Sequence, residues 1–425
     1  MDSGRGKFNA CRAPVFHRLF SVLTVSHWLE PRKDVRLRLK LGIIGYGGRA
    51  SGMAKNLGVF DIPYRVAAVA DPRWEEIKGA GDEFLKDAVF YENADDLLAQ
   101  EELDGVMVGT RCFLHTEMAC KVATRNVPLF LEKPVAISFE QVARLDKAFQ
   151  SFTAPSVVSF PLRLSPIVLT VKEMIEAGEI GQVEHAVAFN DVPYAAVYYT
   201  DWYRNYDEVG GLFLQKATHD LDYLYYLVGH RPKWICAMKA QRVYGGDKPF
   251  DLKCKDCEEQ DACPESPFNW FYKGFQGNKL VQDDSRLCMF AEGIRNEDQG
   301  NCLVEYENGA QVSYTQNFFA RFKSAQRGAR LYGYKGTIYF DWYRNQIQLY
   351  KHQSPVVKTI DFTGNMPHFG GDRELCFDFL LAMKEGRPSR SPIEAGILSA
   401  LTCLWARESA ETRKFCEIVM PQGCK

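Results

Sequence analysis

The chain has 425 residues, 46% hydrophobic, 25% charged and 13% aromatic, with a formal net charge of −2. That length exceeds what one hydrophobic core commonly fills, so two domains are expected. The composition is that of a globular protein, and the near-neutral charge excludes the broad basic field of a nucleic-acid binder.

The charge is unevenly placed along the chain. Residues 1–40 carry nine Lys/Arg against three Asp/Glu, a net +6, which leaves −8 for the remainder. Apolar residues between Val15 and Leu29 are interrupted by His17, Arg18, Ser21, Thr24, Ser26 and His27, so this stretch is neither a signal-peptide core nor a membrane span. Residues 1–35 read as a basic, disordered extension in preference to an organellar transit peptide. No other stretch reaches a transmembrane length, and no membrane partner is expected. Thirteen cysteines are present, but their spacing is not a disulfide framework and no export signal accompanies them. A reducing compartment, the cytoplasm, is the expected setting.

Residues 36–158 read as a first domain, in which the pattern alternates strand and helix from Lys40 to about Ala136, as a parallel sheet requires. Strands are expected at Leu39–Ile44, Arg65–Ala70, Val89–Tyr91, Gly105–Val108 and Pro128–Leu131, and helices at Glu75–Leu85, Ala94–Gln100 and Thr116–Arg125. Ser138 reads as the N-cap of a helix through Phe149. The first strand runs into Gly45-Tyr46-Gly47-Gly48-Arg49-Ala50, with a helical segment, Ser51–Leu57, behind it. Glycines there permit a tight turn and close approach of backbone to a pyrophosphate, which the following helix receives on its unpaired N–H groups. Asp71, at the end of the second strand, can accept both ribose hydroxyls of an adenosine. It favours NAD, because a 2′-phosphate would meet its charge; Arg73 keeps NADP open.

Glu132-Lys133-Pro134 follows a strand whose C-terminal end would face the cofactor cleft. The bond before Pro134 can be cis. A lysine beside a positively charged nicotinamide has a lowered pKa and becomes a usable proton acceptor.

Residues 159–425 read as a second domain, α+β, on a mostly antiparallel open sheet. Pro166–Ala177 is helical and stops at Gly178. Strands are expected at Val183–Phe189, Lys233–Tyr244, Asn301–Tyr306, Ala310–Phe318, Ala329–Tyr334, Thr337–Trp342 and Ile347–His352, with hairpins at Asn308-Gly309 and Lys335-Gly336. Helices return at Asp372–Glu385 and Pro392–Glu411. After Gly210-Gly211, the run Leu212–Asp222 reads as a helix that sets Gln215, Lys216 and His219 on one face. Its open sheet is expected to carry a homo-oligomer contact.

Taken in this order, the glycine loop, Asp71, Thr110 with His115, Glu132-Lys133-Pro134, the Arg163/Pro166 region, and Gly210-Gly211 followed by His219 and Asp222 make the chain resemble the Gfo/Idh/MocA oxidoreductases from about Arg36 onward. The resemblance implies a Rossmann domain beside an α/β domain and NAD(P)-linked redox chemistry on a sugar, sugar acid or cyclitol. It implies Lys133 and His219 as the catalytic pair, with Lys216 and Gln215 beside them. It also places Thr110, His115 and Glu132 around the cofactor and Arg163 near the substrate. Many members carry Asp four residues before the catalytic His, where this chain has Gln215. Glutamine holds no charge and can only orient, so two alternatives stand: a lyase or glycosidase using bound NAD for transient oxidation, and a cofactor-binding protein without turnover.

Two further clusters stand out. Cys254-x-x-Cys257, Cys263 and Cys288 lie in a polar insertion, 250–290, and read as four ligands of a closed structural zinc site. An iron–sulfur cluster and uncoordinated thiols are the alternatives. The aromatic run from Tyr194 to Tyr206 includes Trp202 and Arg204, which could meet a sugar ring and its hydroxyls or could equally pack beneath a long loop.

Overall fold

Short, mostly apolar strands build the first sheet. In the computed structural model, which describes residues 38–268, 286–364 and 367–420, β1 (Leu39–Ile44), β2 (Tyr64–Ala70), β3 (Val89–Tyr91), β4 (Gly105–Val108), β5 (Leu129–Leu131) and β6 (Ser156–Val158) pair in the order β3-β2-β1-β4-β5-β6. Every pairing is parallel. β4 and β5 are buried on both faces, as strands covered by helices on each side must be. The strand order reverses between β1 and β4, and that switch point opens a crevice at the C-terminal ends of these strands. The basic extension 1–35 and residues 269–285 of the cysteine insertion lie outside the described residues.

The second sheet has nine strands: β7 (His185–Asp191), β8 (Pro232–Ala240), β9 (Gln299–Tyr306), β10 (Gln311–Asn317), β11 (Arg327–Tyr332), β12 (Gly336–Asp341), β13 (Gln346–Lys351), β14 (Val357–Asp361) and β15 (Cys416–Glu417). Their order is β14-β13-β12-β11-β7-β10-β9-β8-β15, antiparallel except between β7 and β10. Along β9, buried and exposed residues alternate, so one face is packed and the other open. Helices Thr218–Val228 and Ile393–Thr412 pack together, and the latter also lies on β8. Asn308-Gly309 and Lys335-Gly336 do turn hairpins, joining β9 to β10 and β11 to β12.

Three elements differ from expectation for visible reasons. The expected helix Glu75–Leu85 is a short helix, Trp74–Gly79, and a separate turn, Glu83–Leu85, broken where Gly81 takes a left-handed φ of +65°. β8 stops at Ala240 rather than Tyr244. There the Asp298 carboxylate collects the N–H groups of Arg242, Val243 and Tyr244 at 2.7, 2.5 and 2.9 Å and curls the chain off the sheet. Helix Gly371–Glu385 returns to the first sheet, where Leu375, Phe379 and Leu380 share a core with Leu41, Ile43, Met107 and Phe130. Strands β6, β14 and β15 have no sequence signal of their own: two are only two or three residues long, and β14 is an exposed edge. No helix among the described residues is long and apolar enough to cross a membrane.

Candidate active site

The crevice is framed by the glycine loop. Gly45 sits at φ +82°, and a Cβ there would lie 2.8 Å from both Cγ2 and the backbone nitrogen of Thr110, so only glycine lets β1 and β4 exit side by side. Nothing stands within 4 Å of a Cβ built on Gly48. No side chain caps helix Gly48–Asn56, which leaves its first N–H groups for an anion. Asp71 ends β2, almost fully buried, and accepts from the Tyr46 N–H at 3.0 Å and the Arg73 N–H at 2.9 Å. The Arg73 side chain also reaches it at 3.3 Å. An uncapped helix start, an open approach over Gly48 and an oriented carboxylate one strand away fit a dinucleotide.

Several expected cofactor contacts instead hold the crevice together. Arg49 donates to Glu132 at 2.9 Å and through both terminal nitrogens to Asp372 at 2.7 Å, clamping the loop helix to the β5 exit and to helix Gly371–Glu385. Although Asp372 is largely buried, its bonds from Arg49 and His368 hold its carboxyl at about 2. Burial also keeps His115 neutral at ordinary pH, and its two ring nitrogens face the carbonyls of Pro134 at 2.8 Å and Thr110 at 3.0 Å. A neutral ring donates to one of them at a time. His115 thus bolts the Thr110 loop to the Glu132–Pro134 turn.

The Lys133–Pro134 bond is cis. Lys133 Nζ donates to the backbone oxygen of Gln215 at 3.1 Å and to its Oε1 at 3.4 Å. Burial, reinforced by Lys216 and Arg49 and opposed by Cys112 and Glu132, brings Lys133 down to about 8. The run after Gly210-Gly211 is not a regular helix at its start. Phe213–Ala217 forms a wider π-type turn, entered where Glu297 accepts the Leu212 and Phe213 N–H groups at 2.9 Å each, and the α-helix begins at Thr218. Such turns insert a residue and re-aim side chains. Here Gln215 reaches Lys133 and donates to Cys112 Sγ at 3.0 Å, whereas Lys216 donates to the Tyr194 hydroxyl at 2.6 Å. His219 is buried edge-on to Phe160, with Nδ1 sealed and without a partner among the described residues. Burial first, then the charges of Lys133, Arg327 and Lys216, hold its pKa well below the usual histidine range. Asp220 anchors the helix through Arg327, Asn190 and Tyr314.

The three substrate candidates are engaged elsewhere. Arg163 forms a buried bidentate pair with Asp222 at 3.0 and 2.5 Å, the geometry of a structural ion pair. Trp202 has Tyr203 stacked at 3.8 Å and the Arg111 guanidinium at 3.9 Å. Two groups that close cannot share a ring face, so both faces are covered and no sugar can stack there. Arg204 is 3% exposed and lies over the Phe250 ring at 4.4 Å. It points toward the cysteine insertion, where Cys254, Cys257, Cys263 and Cys288 line one small cavity. Among the described residues, no three His, Cys, Asp or Glu groups already stand together as a metal-holding set.

Sequence reasoning missed Cys112, Glu297 and Asp372 altogether and saw Tyr194 only as an aromatic. Each acts across a large sequence separation, and none carries a motif. The one available signal was Gln215 itself, since a glutamine in place of an acid needs partners that suit an amide.

Two family models match: "Oxidoreductase family, NAD-binding Rossmann fold" over residues 39–158 and "GFO/IDH/MocA C-terminal domain" over 168–339. The Bacillus subtilis protein YteT, named as an oxidoreductase, is 27% identical over 303 residues, 66% of this chain and 69% of its own. The scyllo-inositol 2-dehydrogenase (NAD(+)) of Bacillus subtilis is 25% identical over 204 residues, 45% of this chain and 54% of that protein. The myo-inositol 2-dehydrogenase of Thermotoga maritima is 26% identical over 203 residues, 47% of this chain and 58% of its own. The chain therefore matches little more than half the length of these two dehydrogenases. In fold it superposes on levoglucosan dehydrogenase, solved with NADH and levoglucosan, with a TM-score of 0.72 at 18% identity over 90% of this chain and 99% of that one. With its parallel sheet, its glycine-loop crevice and both family matches in sequence order, the chain belongs to the Gfo/Idh/MocA family of NAD-binding oxidoreductases.

Proposed function

We propose that the protein is a dehydrogenase that interconverts a carbinol and a carbonyl on a small sugar, sugar acid or cyclitol, using NAD in preference to NADP. The observation that carries the reading is Lys133. It is held at the crevice by Gln215 and brought to about 8, where a lysine exchanges protons near neutral pH. When bound, the nicotinamide supplies the hydride acceptor or donor. Lys133 Nζ takes the hydroxyl proton during oxidation and returns it during reduction. His219, neutral at working pH, hydrogen-bonds the same oxygen and adds no further positive charge. Gln215 orients Lys133 through two acceptor contacts, and Cys112 fixes which end of the amide faces the lysine. Inositol and levoglucosan dehydrogenases among the relatives support the substrate class.

Asp71 supports NAD, because its carboxylate is set beside the glycine loop with its orientation already held by Tyr46 and Arg73. Titration with each cofactor, followed by nicotinamide fluorescence, tests this: NADH should bind more tightly, and Asp71→Ser should narrow the gap. Tighter NADPH binding by the native chain would overturn the preference. Screening polyols and sugar acids for NAD reduction tests turnover, with Lys133→Met as the control. Absence of turnover on every substrate, with NADH bound, would favour the cofactor-binding alternative that Gln215 raises.

A homo-oligomer belongs to the same reading. The open face of the second sheet bears a groove of about 350 Å³ that includes Val187, Met238 and Leu303, exposed by 37%, 70% and 54%. Sedimentation should show an assembly that Met238→Glu with Leu303→Glu dissociates. A reducing, cytoplasmic setting is also part of the proposal, supported by the lack of any disulfide among the described cysteines.

A further inference from the structure

The cysteine insertion lies outside this chemistry, yet its backbone gathers four thiols. A bridge between Lys253 and Leu287, with the Cys254 N–H donating to the Arg286 oxygen at 2.9 Å and the Cys288 N–H to the Leu252 oxygen at 2.8 Å, sets Cys254 and Cys288 on facing segments. The turn Cys254–Asp256 carries the chain to Cys257, and a further turn closed by the Cys263 N–H on the Glu259 oxygen, 2.9 Å, brings in Cys263. All four line a cavity of about 20 Å³. That is room for one water-sized sphere and no more.

A second observation points the same way. Arg204 is buried, and all three of its guanidinium nitrogens lack a hydrogen-bond partner among the described residues. Its charge faces Cys288. Arg286 is only half-buried and its Nη2 donates to the Glu265 backbone oxygen at 3.4 Å, but its Nε is buried without a partner among the described residues, and its charge faces Cys254. A guanidinium sealed from water without an anion, as that of Arg204 is, is strongly unfavourable. Neutral thiols do not compensate it.

We propose that this pocket binds one zinc ion through Cys254, Cys257, Cys263 and Cys288, with Arg204 and Arg286 balancing the charge of the tetrathiolate and donating N–H groups to its sulfurs. The ion displaces four thiol protons to solvent, and the resulting centre carries −2, which the two arginines neutralise. A cavity of one-ion size suits a single ion better than a multi-iron cluster. The ligand groups do not already stand as a coordinating set, so the sulfurs close on the ion as it loads. A closed site of four thiolates has no open position, so the ion is structural. Cys288, Met289 and Ala291 pack with Tyr198, Tyr199 and Leu212, so it would brace the wall behind the π-type turn.

The test uses the full chain, purified reduced and without chelator. Elemental analysis should return one zinc per chain, and Cys257→Ser and Cys288→Ala should each abolish stoichiometric retention. Cobalt exchanged into the site should give the ligand-field bands of a tetrahedral tetrathiolate. Arg204→Met should keep that spectrum but weaken cobalt affinity by about 10–100-fold, the range typical for groups supporting metal ligands. If Cys288→Ala fails to fold, Cys257→Ser and the cobalt spectrum of the native chain still decide. No zinc and no tetrathiolate cobalt spectrum in reduced native protein would overturn the site. An intact mass showing the four cysteines paired as disulfides in freshly isolated protein would overturn it equally. Unchanged cobalt affinity in Arg204→Met would overturn the role of the arginine.

Discussion

Lys133 should set the pH dependence of catalysis in both directions. Burial, with help from Lys216 and Arg49, brings it from the ordinary 10.5 to about 8. That difference corresponds to on the order of 3 kcal/mol disfavouring the ammonium form. Oxidation needs the amine, so its kcat/KM should climb with pH and level off above about 8. Reduction needs the ammonium, so its kcat/KM should fall through the same value. Lys216→Met removes a like charge and should move both limbs to higher pH. Lys133→Met should flatten both and lower kcat/KM by about 10²–10⁴-fold. Stability follows the same proton. An unfolded lysine stays protonated up to 10.5 while the folded one is neutral above about 8, so stability gains with pH across that interval. The gain should vanish in Lys133→Met when denaturation midpoints are compared at the two ends. Initial rates followed by nicotinamide absorbance supply the profiles. A limb that persists in Lys133→Met, or one that moves to lower pH in Lys216→Met, would refute the assignment.

Other expectations rest on separate contacts. Gln215→Asp places a carboxylate within reach of Lys133 Nζ and should raise the oxidation limb by about 1–3 pH units, read from the same profiles. Arg163→Met leaves Asp222 charged and buried, which should cost about 3–5 kcal/mol in chemical denaturation, whereas Arg163→Met with Asp222→Leu should recover most of it. If the stable double variant instead showed a large rise in KM, Arg163 would be touching substrate. Gly45→Ala forces a left-handed backbone costing about 1–2 kcal/mol before its clash with Thr110 is counted. Its melting temperature and NADH affinity should both fall, and an unchanged melt would contradict the packing described.

All of the first sheet but β6 was legible because its other strands are short, mostly apolar runs ended by a turn, and parallel strands buried on both faces leave that trace in any sequence. The glycine loop, Asp71 and Lys133 could be placed at the crevice for a similar reason: their positions depend on local backbone geometry at strand ends. The partners of Trp202, Arg163 and Arg204 were not legible, because an aromatic or a cation looks alike whether it faces a ligand or a partner 59 residues away, as Arg163 does in Asp222.

By itself, the sequence determined the strand order's local ingredients, the cofactor loop and the identity of the groups able to move a proton. Tertiary structure alone decided their company. Glu297 caps the π-type turn from across 85 residues, Cys112 turns the Gln215 amide from across 103, and Asp372 takes Arg49 from across 323. Hydrogen bonds and charges act through space at a few ångströms, and only the folded chain says which residues are that close.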